Sequence, residues 1–352
     1  MRCEPPESAL IRYVGPTQGS ALQSENLMEN SHLTSRSSEP AGTGAKFCGS
    51  LPVIPTPFYQ GKIDFDSLLR LFDHLFPELE GYTICGSTGE SVSLSFEERV
   101  ELMKFAARNT PSEKTIVVGL THTSLDEIIR LARIAEDLGI HAGLVPCPYY
   151  FPNSFPMVLS FFRALDQATN LALVIYDNPV YTKTYLRVEE LCGLLDTCRH
   201  VKAVKMTDHD LDKITALKSR REVLVFSGDD VVAFRSLLLG VDGSMIIAPA
   251  VFPASYQRVI KMLREGEAKE ALRFFSQRIL PFIHLFGLGD EVPNTKALFK
   301  YLGMFRSDEL RLPLLPCPPQ RLQEVIMAYE LCRRADDPNE ATRVAVRETS
   351  AG

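Results

Sequence analysis

The chain has 352 residues, 45% of them hydrophobic and 23% charged, the make-up of an ordinary soluble globular protein with room for one large domain or two small ones. A formal net charge of -6, with Lys and Arg scattered rather than striped, excludes the basic face that a nucleic-acid partner needs. No apolar run approaches the roughly 18 to 20 residues that span a bilayer, so no membrane partner is expected. The eight cysteines lie far apart, without CxxC pairs or metal-ligand spacing to His, and read as reduced thiols of a cytoplasmic protein.

In chain order, residues 1–46 are rich in Ser, Glu, Asn and Gly without apolar periodicity, and are expected to form a disordered tail, too poor in apolar surface to offset the entropy of ordering. The tail lacks the apolar stretch of a secretory signal, and Met28 stands as a candidate start. From residue 47 short β-branched runs alternate with amphipathic segments. The strands are expected at Leu51–Pro55, Tyr82–Cys85, Thr115–Gly119, Ala142–Val145, Leu171–Tyr176, Val201–Lys205, Val223–Phe226 and Gly243–Ile247. Phe65, Leu68, Leu69, Phe72, Leu75 and Phe76 fall on one face at helical period and mark the first helix. Ser95 with Glu98, and Ser124 with Glu127, have the spacing of capping boxes.

Eight strands, each followed by a helix, predict an α/β protein, a (β/α)8 TIM barrel over 47–264. Helices near 267–282, 291–302 and 318–334 form a C-terminal helical appendage within 265–335, and 336–352 read as a loose tail. A doubly wound open sheet is the competing architecture, but no strand is followed by GxGxxG and the repeats continue past the usual six.

In a barrel the active site lies at the carboxyl ends of the strands, so the informative residues are those that follow each apolar run. Gly86-Ser87-Thr88-Gly89-Glu90 after the second strand suits a turn whose N–H groups and hydroxyls surround a carboxylate; it equally suits a plain strand-to-helix turn. Pro148-Tyr149-Tyr150 and Tyr176-Asp177-Asn178-Pro179 bring phenols to the ends of the fourth and fifth strands, where amphipathic packing is the bland alternative. In Val201-Lys202-Ala203-Val204-Lys205-Met206, period-two alternation puts Val201, Ala203 and Lys205 on one face. If that face points inward, Lys205 is a buried lysine at the active end, where desolvation favours a neutral, nucleophilic amine; otherwise its head reaches water at the rim. Ser227-Gly228-Asp229-Asp230 after the seventh strand reads first as an acidic helix start.

Taken together, GSTGE at 86–90, PYY at 148–150, YDNP at 176–179, the strand ending in Lys205 and SGDD at 227–230 resemble, in order, the dihydrodipicolinate synthase / N-acetylneuraminate lyase family of class I aldolases, over about residues 48–334. The resemblance implies a Schiff-base aldolase or lyase that acts on pyruvate or a related 2-oxo acid, with an aldehyde as second substrate and no metal or organic cofactor. It implies that Lys205 is the Schiff-base lysine and Tyr176 the proton-shuttling phenol, and that Ser87 and Thr88 hold the 2-oxo acid carboxylate. It implies further that Tyr150 reaches across a dimer to complete a proton relay with Ser87 and Tyr176, in a homo-oligomer that is a dimer or a tetramer.

The pattern departs from the family at the acceptor end. Dihydrodipicolinate synthases carry an arginine five residues after the shuttling tyrosine, where this chain has Tyr181, which has no cationic fork for a carboxylate; Lys183 nearby offers only a point charge. Sialic acid lyases have a threonine two residues after the lysine, matched by Thr207, but their second acid and their serine fall at Val231 and Ile247. Thr207 and Ile247 are therefore read as acceptor-binding positions, and the apolar set Tyr181, Val231, Ile247 and Pro249 as a sign of an aldehyde shorter or less polar than a hexosamine and without a carboxylate there. Two readings stand outside this class: a catalytically silent barrel that binds a 2-oxo acid as sensor or scaffold, and a phosphate-binding barrel enzyme, against which Asp229 and Asp230 argue by repulsion.

Overall fold

Strands too short to cover two faces by themselves, each followed by a helix with one apolar stripe, have a low-energy solution in a closed parallel sheet wrapped by helices. The computed structural model of the chain describes residues 47–220, 222–285 and 290–334. The tails expected at 1–46 and 336–352 lie outside those residues. The barrel strands are β1 (Gly49–Ser50), β2 (Gly81–Ile84), β3 (Thr115–Gly119), β4 (Ala142–Pro146), β5 (Ala172–Asp177), β6 (Val201–Met206), β7 (Leu224–Ser227) and β8 (Gly243–Ser244). They pair in parallel from β2 through β8 and on to β1. A further parallel bridge between Val53 and Thr83 brings the first strand segment against β2 and closes the ring. The expected (β/α)8 TIM barrel is the fold.

The main barrel helices are α1 (Phe65–Leu75), α2 (Phe96–Asn109), α3 (Leu125–Asp137), α4 (Phe155–Ala168), α5 (Val188–Thr197), α6 (Leu211–Arg220), α7 (Ala233–Leu238) and α8 (Pro253–Arg264). Beyond the barrel come α9 (Ala268–Arg278), α10 (Glu291–Tyr301) and α11 (Pro319–Arg334). Helix α1 starts where Asp64 accepts the Ser67 N–H at 3.3 Å, and it buries Leu68, Leu71, Phe72 and Leu75; the expected face holds at Leu68, Phe72 and Leu75 but not at Leu69, which is exposed while Leu71 is buried in its stead. Two apolar layers result. Leu51, Val53, Val117, Leu144, Val174, Ala203, Phe226 and Met245 fill the barrel, with Phe47 packed on Phe226 at 5.4 Å between ring centroids. Strand residues of the other parity, such as Ile84, Val118, Ile175 and Val204, join the helices in the larger outer layer.

Several local expectations need correction. Regular pairing of the first strand falls at Gly49–Ser50 rather than over Leu51–Pro55, because Pro52 and Pro55 have no N–H to give. Val53 still donates to Ile246 O at 3.1 Å, so the eighth strand also keeps ladder contacts beyond its regular end at Ser244. Ser95 and Glu98 form the expected capping box, but Ser124 makes no side-chain cap bond, and its N–H donates to His122 Nδ1 at 2.9 Å instead of to Glu127. Finally, a register shift between Leu173 and Val174 leaves Lys202 unpaired, so Leu173 faces Val201 and Val174 faces Ala203. The bulge breaks the alternation, and Val201 packs in the outer layer while Ala203 points into the barrel.

Candidate active site

Strand β6 carries Lys205 one residue before its carboxyl end, and parallel pairing sets it opposite Tyr176 on β5. Neighbouring strands hold paired residues about 5 Å apart, which brings a lysine and a phenol together with no help from loops. Lys205 is 4% exposed, and its Nζ lies 4.2 Å from the centroid of the Tyr176 ring. Tyr176 is equally enclosed, at 7%. Its hydroxyl accepts a hydrogen bond from Asn178 Nδ2 at 2.8 Å and has the Ser87 and Thr207 hydroxyls among its neighbours. Burial alone would push this phenol up, but the Lys205 charge and the bonds from Asn178, Ser87 and Thr207 bring it below its ordinary value. The buried thiols nearest this end of the barrel behave in the opposite way. Burial pushes both Cys85 and Cys147 up to about 12, so they are protonated and poor nucleophiles at neutral pH.

The barrel thus brings together Ser87, Tyr176, Lys205 and Thr207, from the ends of β2, β5 and β6. Backbone geometry at the rim makes room for them. A Cβ on Gly228 would stand 2.2 Å from Thr207 Oγ1 and 3.0 Å from Lys205 Cε, so only glycine fits behind the lysine. The 86–90 turn begins at Cys85, whose φ of 53° is left-handed, and ends at Glu90, whose φ is 55°. Between them Thr88 is 9% exposed, and Gly89 O accepts from Thr56 Oγ1 at 2.7 Å.

The remaining expected site residues stand apart. Tyr150 is 85% exposed, its ring edge-on to Phe151 at 5.1 Å, outside the pocket of its own chain. Ile247 is buried with its side chain in the outer apolar layer, so what it turns toward the site is its N–H, which donates to Asp230 Oδ2 at 3.1 Å. The Ala248 N–H donates to the other oxygen of Asp230 at 2.7 Å. Despite both bonds, burial pushes the Asp230 carboxyl up to about 7.

Residues to which the sequence reading assigned no role also belong here. Asn178 orients the Tyr176 hydroxyl, and only its place two residues on from Tyr176 pointed to it. Lys213 on α6 is 4% exposed and bonds Asp177 Oδ2 at 2.6 Å and Asp208 Oδ2 at 3.0 Å, fixing the end of β5 just beyond Tyr176. A lysine at the start of a helix, after Asp208, Asp210 and Asp212, was the available hint.

Comparison with known proteins agrees with the barrel fold. Residues 46–330 match the dihydrodipicolinate synthetase family. The 4-hydroxy-tetrahydrodipicolinate synthase of Enterococcus faecalis (strain ATCC 700802 / V583) is 31% identical over 281 residues, 78% of this chain and 96% of that protein. The enzyme of the same name from Aquifex aeolicus (strain VF5) is 28% identical over 291 residues, 81% of this chain and 98% of its own. Among solved structures, the 4-hydroxy-tetrahydrodipicolinate synthase of Methylacidiphilum fumariolicum SolV superposes with a TM-score of 0.78 at 26% identity, covering 82% of this chain and 97% of that one.

Proposed function

The chain belongs to the dihydrodipicolinate synthetase family and is a class I aldolase or lyase, and we propose that Lys205 is its Schiff-base lysine and pyruvate or a close 2-oxo acid its donor substrate. The observation that carries this reading is the buried lysine against Tyr176, whose hydroxyl lies among those of Ser87 and Thr207.

The neutral amine of Lys205 attacks the ketone carbon, and loss of water leaves an iminium. That cation withdraws electrons from the adjacent carbon, where a proton or a carbon–carbon bond breaks to give an enamine. The enamine then attacks an aldehyde, or takes up a proton in the cleavage direction. Tyr176 moves the protons, a role suited to a phenol brought below its ordinary value while enclosed with the lysine. Ser87 and Thr88, with the N–H groups of their turn, hold the carboxylate so that the carbonyl meets the amine in reacting geometry. Tyr150 completes the relay from a second copy, a role supported by its exposure on its own chain. The test is borohydride reduction in the presence of pyruvate with mass mapping of the modified peptide: label on Lys205 is expected, and no label, or label on another lysine, overturns the assignment.

The acceptor end supports an aldehyde without a carboxylate at the position of Tyr181. Tyr181 is 60% exposed, and partial burial first, then Tyr176, Glu291 and Asp229, raise its phenol above the ordinary value, so at neutral pH it is an uncharged ring in acidic company. A carboxylate approaching it meets Asp229 and Glu291 instead of a guanidinium. The relatives are named 4-hydroxy-tetrahydrodipicolinate synthases, which favours the alternative activity of that name; the resemblance ties that activity to aspartate semialdehyde as acceptor. A panel of aldehydes decides between them: short neutral aldehydes are expected to be used best, and preference for aspartate semialdehyde or N-acetylmannosamine sinks this reading of the acceptor while leaving the lysine chemistry intact.

A further inference from the structure

Glu90 ends the turn that carries Ser87 and Thr88, and it holds a left-handed φ of 55°, a conformation that a non-glycine residue adopts only when its surroundings impose it. Its backbone N–H donates to Ser87 O at 3.0 Å, so the position of Glu90 sets the position of the serine carbonyl. Its side chain is fully enclosed. One carboxylate oxygen accepts from Lys296 Nζ at 2.5 Å, the other from the Arg311 N–H at 2.8 Å. Lys296, on α10, is also fully enclosed; it donates a second bond to Glu309 O at 2.7 Å and lies 4.2 Å from the centre of the Phe58 ring. A chain of contacts therefore runs from the helices beyond the barrel, through one carboxylate, into the turn.

Removing a carboxylate and an ammonium from water costs several kcal/mol for each ion, and an apolar pair of the same volume commonly stabilises a fold as well or better. Stability alone does not call for this pair. What two charges supply and two apolar side chains do not is direction: the carboxylate must face Lys296 and Arg311 N, and that requirement fixes the backbone from which it hangs. Burial pushes the Lys296 amine down to about 8 against the pull of Glu90, so at neutral pH it keeps the charge the pairing needs.

We infer that the Glu90–Lys296 pair is a positioning device by which α10 holds the Ser87–Thr88 turn in the shape that binds the 2-oxo acid carboxylate. The inference rests on the reading of Lys205 and of the turn given above. Lys296 touches no substrate; it acts through Glu90 on the affinity for the acid rather than on the chemistry of the amine.

The experiment is pyruvate-dependent borohydride labelling of Lys205 in the full chain, titrated with pyruvate, for wild type, Lys296→Met, the double variant Glu90→Met/Lys296→Met, and Glu90→Gln, with a thermal melt of each. The double variant removes both charges and is expected to melt close to wild type, while its half-saturating pyruvate concentration rises about tenfold or more and its labelling rate at saturation changes far less. A purely structural pair predicts the opposite, with pyruvate affinity restored along with the melt. Wild-type half-saturation in a folded double variant overturns the inference. If the methionine pair does not fold, Glu90→Gln, nearly isosteric and uncharged, decides by the same measurement. Absence of label on wild-type Lys205 would instead overturn the assignment of the nucleophile, so the two failures are distinct.

Discussion

Tyr176 and Lys205 occupy one rung of two neighbouring strands, so their contact is a property of sheet register, and what each contributes can be separated by single substitutions. Tyr176→Phe keeps the buried ring and removes the hydroxyl that Asn178 holds. The variant is expected to fold as wild type while pyruvate-dependent labelling of Lys205 slows by about 10²- to 10⁴-fold, the usual worth of a positioned acid or base; an unchanged labelling rate removes Tyr176 from the mechanism. Asp230 offers a pH dependence of defined sign. Its carboxyl is raised to about 7 in the folded chain, against about 3.9 when unfolded. Between those values the folded chain keeps a proton that the unfolded chain has lost, so the stability this group contributes is fully present below about pH 4 and gone above about pH 7. Denaturant titrations at about pH 4.5 and about pH 7.5 should therefore find wild type losing stability relative to Asp230→Asn as pH rises. A relative gain contradicts the assignment.

At the level of helices and strands, the same sequence spacing had different outcomes at two helix starts. Ser95 and Glu98 exchange bonds at 3.1 and 2.9 Å at the head of α2, whereas Ser124 at the head of α3 caps nothing. Ser95→Ala is expected to cost about 1 kcal/mol of unfolding free energy and Ser124→Ala close to nothing; equal losses in denaturant titrations contradict the structural difference. The capping motif specifies a possibility, and at Ser124 the N–H that Glu127 would accept goes to His122 Nδ1. Strand β6 behaves in the same way. Alternation predicts the inward face correctly for Ala203 and Lys205 and wrongly for Val201, because the extra residue at Lys202 is a property of its pairing with β5 and not of either strand alone.

Across the full chain, ring closure is what assembles residues 87, 176, 205 and 207, the first and last of which lie more than a hundred positions apart. The proposed completion of the site by Tyr150 from a second copy has a consequence that one chain cannot show. Inactive Lys205→Ala chains mixed and reassembled with impaired Tyr150→Phe chains should form mixed dimers in which one site has both an intact lysine and an intact partner tyrosine. Activity above that of either parent is expected. No recovery, with mixed dimers demonstrated by mass, rules out a trans role for Tyr150. The helices beyond the barrel belong to this scale too, since Lys296 and Arg311 meet Glu90 across about two hundred residues of chain.

The barrel, most of the stripe of α1 and the candidate amine were legible in the chain before any fold was known, because periodicity and the order of residues at strand ends are local properties. The packing of Val201, the failure of the Ser124 cap, the burial of Lys213 against Asp177 and the Glu90–Lys296 lock were not, since each depends on which distant group arrives opposite a given side chain. A buried charge in particular has no local signature: whether a lysine is solvated or enclosed is set by the partner that the fold delivers, and not by its neighbours in sequence.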